Sequence, residues 1–277
     1  DDVPYVMKTT AATDFDVVSD AYHALKRLRR HPAIDPARIG VMGMSYGGMA
    51  ARFAMDARIR RALIGDRPGF RAHIDIYGPC YQDLQSPAVT AAPLLTLRGT
   101  EDASNDLEAC REREAALREL GATVEAEVYE GAGHSWERGI PRREYDYSYV
   151  RGCTVRYDER GDARVGDRPM TELPLDAPRA TRIVNRFSSG FVLGDCVKSG
   201  YIMGDDPETE EKADRRILRF LHEKHFEGAG GLEIDDEIRV TIAAEACLLT
   251  LNQGSLVFPR LRWIIVYPTT FIVDDPV

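Results

Sequence analysis

No apolar run in the sequence approaches the roughly 18 residues that a membrane span needs. The first thirty residues have neither a basic start nor a continuous apolar stretch, so the chain as given reads as soluble. Basic charge is also short. The 36 Lys and Arg stand against 45 Asp and Glu, for a formal net charge of -9, which argues against nucleic acid because binding to a phosphate backbone needs a basic face. The five cysteines, Cys80, Cys110, Cys153, Cys196 and Cys247, form no C-x-x-C pair, so a zinc knuckle or thioredoxin-like motif is absent. Their odd count leans towards reduced thiols and a cytoplasmic rather than periplasmic setting, with Cys153 and Cys196 as the pair that would form on export. There is no internal repeat and no low-complexity tract. A start at Asp1 and an end at Val277, just after a strand-like run, leave both termini open to cutting or processing. What remains, 277 residues of which 44% are hydrophobic and 29% charged, is an ordinary globular balance with room for one large domain or two small ones.

Val17, Val18, Ala21, Leu25 and Leu28 recur at helical spacing, and the stretch stops at RRHP, where His31 precedes a proline that disfavours further helix. Short apolar runs bounded by turn residues predict strands at 38–44 (RIGVMGM), 70–78 (FRAHIDIYG), 93–99 (PLLTLRG) and 123–131 (TVEAEVYEG). Between the last two, Leu107, Cys110, Leu117 and Leu120 mark one face of a helix that Gly121 ends. Strands alternating with helices imply parallel pairing and an α/β sheet. From about Arg138 to Asp205 the periodicity fades, and the stretch reads as loops and short hairpins. Asp206-Pro207 then opens a helix with Ala213, Ile217, Phe220 and Leu221 on one side. After the glycine-rich joint FEGAGGLEI, a largely buried helix is expected from Asp235 to about Asn252, and a strand in RWIIVYP at 262–268.

Gly43-Met44-Ser45-Tyr46-Gly47 fits G-x-S-x-G, with an apolar strand before it and an alanine-rich helix after it. In that context the serine is held in a strained turn, and residues two before and two after it must be small for strand and helix to pass. Ser45 is read as a nucleophile, with a helix-capping serine as the bland alternative. The backbone N–H of Tyr46, at a helix N-terminus, would face a developing oxyanion. A serine hydroxyl needs a base and the base an orienting carboxylate. The sequence offers both in the order of α/β-hydrolases: Asp102 just after a strand in LLTLRGTEDASND, and His134 in a glycine-rich loop after the next in VYEGAGHSWE. Asp102 could instead cap the following helix, and Asp106 is its nearest competitor. His23, His31 and His73 sit where packing or surface roles are expected. His222 and His225 in LHEKHF have H-E-x-H spacing rather than H-E-x-x-H, which places two ligands one helical turn apart; no metal site is expected.

The segments DPARIGVMGMSYGG, PLLTLRGTEDASNDLEAC and VYEGAGHSWE resemble the dienelactone hydrolase branch of the α/β-hydrolases over about residues 14–222. The resemblance implies Ser45 as nucleophile, Asp102 as acid, His134 as base and Tyr46 as oxyanion donor. It also implies small esters or lactones as substrates, with no cofactor. The best-known members carry cysteine where this chain has Ser45, which implies a more ordinary ester hydrolase than a specialised lactonase. Members also have several strands before the nucleophile strand, so the hydrolase unit is expected to be N-terminally incomplete, with its nucleophile strand at an open sheet edge, its activity impaired and a tendency to self-associate there. From about Phe220, FLHEKHFEGAGGLEIDDEIRVTIAAEACLLTLNQG and RWIIVYPTTF resemble the amino-terminal part of the Mlc titration factor A family of zinc-dependent peptidases, whose H-E-x-x-H helix has no counterpart here. The reading is therefore a hydrolase-like unit over 1–222 and a fragment of a second α/β module over 223–277, joined as a fusion or a fragment. Other function classes are a zinc metallopeptidase fragment and a non-catalytic interaction module with a structural Ser45.

Overall fold

The helical spacing near the start builds α1 (Asp14–Leu28), which buries Phe15, Val18, Ala21, Tyr22 and Leu25 on one face. The computed structural model of the chain describes residues 14–32, 34–159, 162–170, 178, 180–181, 192–225 and 264–266. After α1 come β1 (Ile39–Met44), α2 (Tyr46–Phe53), α3 (Ala57–Ile64), β2 (His73–Ile76), β3 (Gln82–Asp83), β4 (Leu94–Gly99), α4 (Leu107–Glu119) and β5 (Val124–Tyr129). Then follow β6 (Arg143–Val150), β7 (Val155–Tyr157), β8 (Ala163–Val165), β9 (Arg168–Pro169), β10 (Val197–Met203), α5 (Pro207–His225) and β11 (Ile264–Val266). The helix expected at 235–252 and Cys247 lie outside the described residues.

The fold is α/β with a mostly parallel main sheet. Its strand order is β11-β1-β2-β4-β5, and every pairing in it is parallel. Strands of such a sheet that are covered on both faces read as near-continuous apolar runs, as β1 and β4 do. Neighbouring residues of β1 go to opposite sides. Val41 packs with Phe15, Val18, Met49 and Phe53, whereas Met42 packs with Ile74, Leu95, Ile217 and Phe220. The α5 start follows its sequence signal: Asp206 accepts from the Thr209 N–H at 3.2 Å and from the Thr209 hydroxyl at 2.9 Å.

Three expectations are corrected. The nucleophile strand is not the terminal strand of the sheet: β1 is flanked by β2 on one side, and on the other Ile264–Val266 pair in parallel with Ile39–Val41. Residues 138–205 hold more than loops and short hairpins. β6 and β10 form an antiparallel ribbon of eight- and seven-residue strands, beside a small sheet of order β3-β7-β8-β9. Nor are the four described cysteines reduced thiols. The fold sets the turn after β2 against α4 and the end of β6 against β10, and disulfides join Cys80 to Cys110 and Cys153 to Cys196, with Cα separations of 5.0 and 5.8 Å.

Candidate active site

In a parallel sheet the segments that follow the strands all emerge at one edge. Ser45 follows β1, Asp102 follows β4 and His134 follows β5, so all three residues belong to that edge. Ser45 has φ 53° and ψ -122°, a region that non-glycine residues rarely occupy and that costs about 1–3 kcal/mol. Its N–H donates to the Ile76 carbonyl at 2.9 Å, and its own carbonyl accepts from Met49 N–H at 3.1 Å, opening α2. The turn is as tight as the motif implies. A Cβ at Gly43 would stand 2.0 Å from the Gly47 carbonyl oxygen, so only glycine fits. Ser45 makes no side-chain cap for α2, which removes the observation on which a capping role would rest. Tyr46 is the first residue of α2, so its N–H is among the donors that have no intrahelical acceptor.

His134 is 4% exposed and Asp102 is 2% exposed. The His134 Nδ1–H donates to Asp102 Oδ2 at 2.6 Å, which leaves Nε2 without the proton in the neutral ring. The carboxylate is itself held: Oδ1 accepts from the Ser104 N–H at 3.0 Å and from the Ser104 hydroxyl, and Oδ2 accepts from Asn105 Nδ2 at 2.7 Å. Asp106, the competing acid, is the α4 cap, accepting from the N–H groups of Glu108 and Ala109. Among the described residues no hydrogen bond joins Ser45 to His134. The other histidines stand apart from the pair. His23 bonds Ser19 one turn away on α1, and His73 is fully buried in β2. Among the described residues no three metal-ligating side chains cluster.

A family model of dienelactone hydrolases matches residues 2–162. The chain belongs to the dienelactone hydrolase family. A second model, of the glucose-regulated metallo-peptidases M90, matches residues 199–277, in line with the resemblance of the C-terminal sequence. An uncharacterized protein of Synechocystis sp., slr2042, is 43% identical over 67 residues, 24% of each chain. Similar solved structures include Thermogutta terrifontis esterase 2 phosphorylated by paraoxon, with a TM-score of 0.37 and 21% identity over 45% of this chain and 55% of that one. The butyrate-bound form of that esterase has a TM-score of 0.38 and 20% identity over 45% of this chain and 58% of its own. The chain thus spans about a quarter of the curated relative and somewhat over half of each esterase chain.

In this family member a buried ionic network runs beneath the turn. Asp75 accepts from Arg52 at 2.6 Å, from Arg98 at 2.9 Å and from the Gly78 N–H at 2.8 Å. Burial alone would raise the Asp75 carboxyl, but Arg98 and Arg52 outweigh it and hold it below the usual carboxylate range. Arg98 also donates to Asn105 Oδ1 at 3.1 Å, so a line of contacts runs from Arg52 on α2 through Asp75, Arg98 and Asn105 to Asp102. Tyr77, with φ 41°, packs its ring 4.4 Å from the His134 imidazole and donates its hydroxyl to Glu137. Burial pushes the Glu137 carboxyl up, against the hydrogen bond from Tyr77. The sequence reading missed these supports. Their signal was a charge inside an apolar strand, Asp75 in HIDI and Arg98 in LLTLRG, because a charge there must be paired.

Proposed function

We propose that the chain is a serine hydrolase of small esters or lactones. The observation that carries this reading is the buried Asp102–His134 hydrogen bond of 2.6 Å at the sheet edge to which the strained Ser45 turn also belongs. Ser45 Oγ attacks the ester carbonyl while His134 Nε2 takes its proton, and the Tyr46 N–H donates to the oxyanion that forms. The carbon–oxygen bond to the alcohol then breaks. The alcohol leaves with the proton from His134, and an acyl group stays on Ser45. Water, deprotonated by His134, attacks this acyl-enzyme, releasing the acid and returning the proton to Ser45. Asp102 holds the imidazole in the tautomer with Nδ1–H and stabilises the imidazolium. Contacts between nucleophile and base tighten in the complex with substrate, so the reading does not require a Ser45–His134 bond beforehand.

The division into a hydrolase unit over 1–222 and a titration-factor-A-like unit over 223–277 is part of the same proposal, supported by the two family matches. A fluorophosphonate, which reacts with activated serine, tests the reading. Modification at Ser45, lost in Ser45→Ala and in His134→Ala, is the expected result. Absence of labelling, or labelling that persists in Ser45→Ala, overturns it.

A further inference from the structure

Along β6 the tyrosines Tyr145, Tyr147 and Tyr149 alternate with Glu144, Asp146 and Ser148. Side chains two apart on a strand share a face, and all three tyrosines are half-buried. A β-bulge between Ser199 and Tyr201 shifts the register of β10 so that Tyr201 lies opposite Tyr145, as bulges commonly re-aim a side chain. Tyr201 is the hub of the cluster. Its ring lies 5.7 Å from Tyr149, at 90°, and 6.4 Å from Tyr147. Tyr147 in turn lies 6.1 Å from Tyr145, with planes 4° apart. Arg143 sets its guanidinium 4.6 Å over the Tyr145 ring, and the Tyr145 hydroxyl donates to the Pro141 carbonyl at 2.9 Å.

The inner end of this row is the proposed base. The Tyr201 ring lies 5.3 Å from the His134 imidazole, nearly perpendicular to it. Backbone bonds fix the contact on both sides of His134: its N–H donates to the Ile202 carbonyl at 2.8 Å, and its carbonyl accepts from the Gly204 N–H at 2.9 Å. In the proposed reaction His134 hands a proton to the departing alcohol, so that half of the ester must pass beside the imidazole. Tyr201 packs against that imidazole, with the other rings of the row beyond it. Aromatic rings at such separations favour further rings placed edge-on or offset, because the edge of one is drawn to the face of another. An alkyl chain gains contact area there but not this interaction.

Resting on the serine hydrolase reading, we infer that the tyrosine row on the β6/β10 ribbon is a leaving-group subsite, and that the preferred substrates are esters of alcohols carrying an aromatic ring. The test compares hydrolysis of benzyl butyrate with that of hexyl butyrate, and binding of 2-phenylethanol with that of 1-hexanol by NMR titration of the full chain. In the wild type, kcat/KM is expected to favour the benzyl ester by about tenfold, and 2-phenylethanol is expected to bind more tightly than 1-hexanol. Tyr149→Leu should reduce both preferences by about 2- to 10-fold, the range for one lost ring contact, and Tyr149→Phe should retain them. A wild-type ratio near one, or a ratio that Tyr149→Leu leaves unchanged, overturns the inference. If Ser45 takes up a fluorophosphonate while the ratio is near one, the subsite alone fails. If Ser45 is not labelled, the hydrolase reading fails and the alcohol titration decides the aromatic site by itself, equal binding of the two alcohols overturning it.

Discussion

His73 should make this fold sensitive to mild acid, and its environment gives the size of the effect. The side chain is fully buried in β2, and its Nδ1–H donates to the Ala51 carbonyl at 2.7 Å. Because a carbonyl only accepts, Nδ1 carries the proton, and Nε2 is left buried with no hydrogen-bond partner. Protonating Nε2 would place an uncompensated charge in the core, so burial pushes the imidazole down to about 4 against an ordinary 6.5, with the bond to Ala51 opposing. Below pH 6.5 the unfolded chain therefore takes up a proton that the folded chain refuses until about pH 4. The stabilising contribution is complete above the unfolded value and is lost as the pH falls through that window. The loss is about 2 kcal/mol at pH 5 and approaches about 3 kcal/mol below pH 4. Urea unfolding of the wild type and of His73→Leu at pH 7.5 and pH 5 isolates the effect from that of the carboxylates. The variant should be less stable at pH 7.5, having lost the bond to Ala51, but should lose about 2 kcal/mol less than the wild type between the two pH values. Equal losses in the two proteins would refute the assignment.

Asp102→Asn should leave the fold intact but lower the turnover of p-nitrophenyl acetate by about 10⁴, the cost of the wrong imidazole tautomer in triads of this kind; a loss below tenfold would remove Asp102 from the proposed mechanism. Asp75→Ala leaves Arg52 and Arg98 buried without their shared carboxylate, and a destabilisation of about 3–5 kcal/mol is expected in urea unfolding. A shift under 1 kcal/mol would show that the neighbouring carbonyls satisfy both guanidinium groups. Replacing Cys80 and Cys110 together by alanine removes a link between residues 30 positions apart. Chain entropy then predicts a loss of about 3–4 kcal/mol, read as a fall in Tm; dithiothreitol, which also reduces Cys153–Cys196, should lower the Tm of the wild type at least as far.

The strands of the main sheet were legible because each is a short run bounded by turn residues, apolar throughout or at every second position, and β1, β2, β4 and β5 all fall within the spans read for them. The Ser45 turn was legible for a related reason, since Gly43, Ser45 and Gly47 meet within five residues. The choice of Asp102 over Asp106 rested only on distance from the strand end. The structure adds a physical reason, because Asp106 spends its carboxylate on the first N–H groups of α4 while Asp102 accepts from His134. The β6/β10 ribbon was passed over although its signal was present: EYDYSYV alternates with period two, but charged and serine residues at every second position hid the tyrosine face within a polar stretch.

By itself the sequence determined what depends on neighbours a few residues apart: the helical faces, the strand-to-helix turn at Ser45 and the proline-opened start of α5. Backbone geometry repeats every 3.6 or every 2 residues, so a local pattern suffices to specify these. Only the tertiary structure decided which other partners meet across long intervals: Arg52 and Arg98 with Asp75, Cys80 with Cys110, Tyr201 with His134, and Ile264–Val266 beside β1. Those pairings depend on strand order and on where each connection returns to the sheet, and neither is encoded in the spacing of nearby residues.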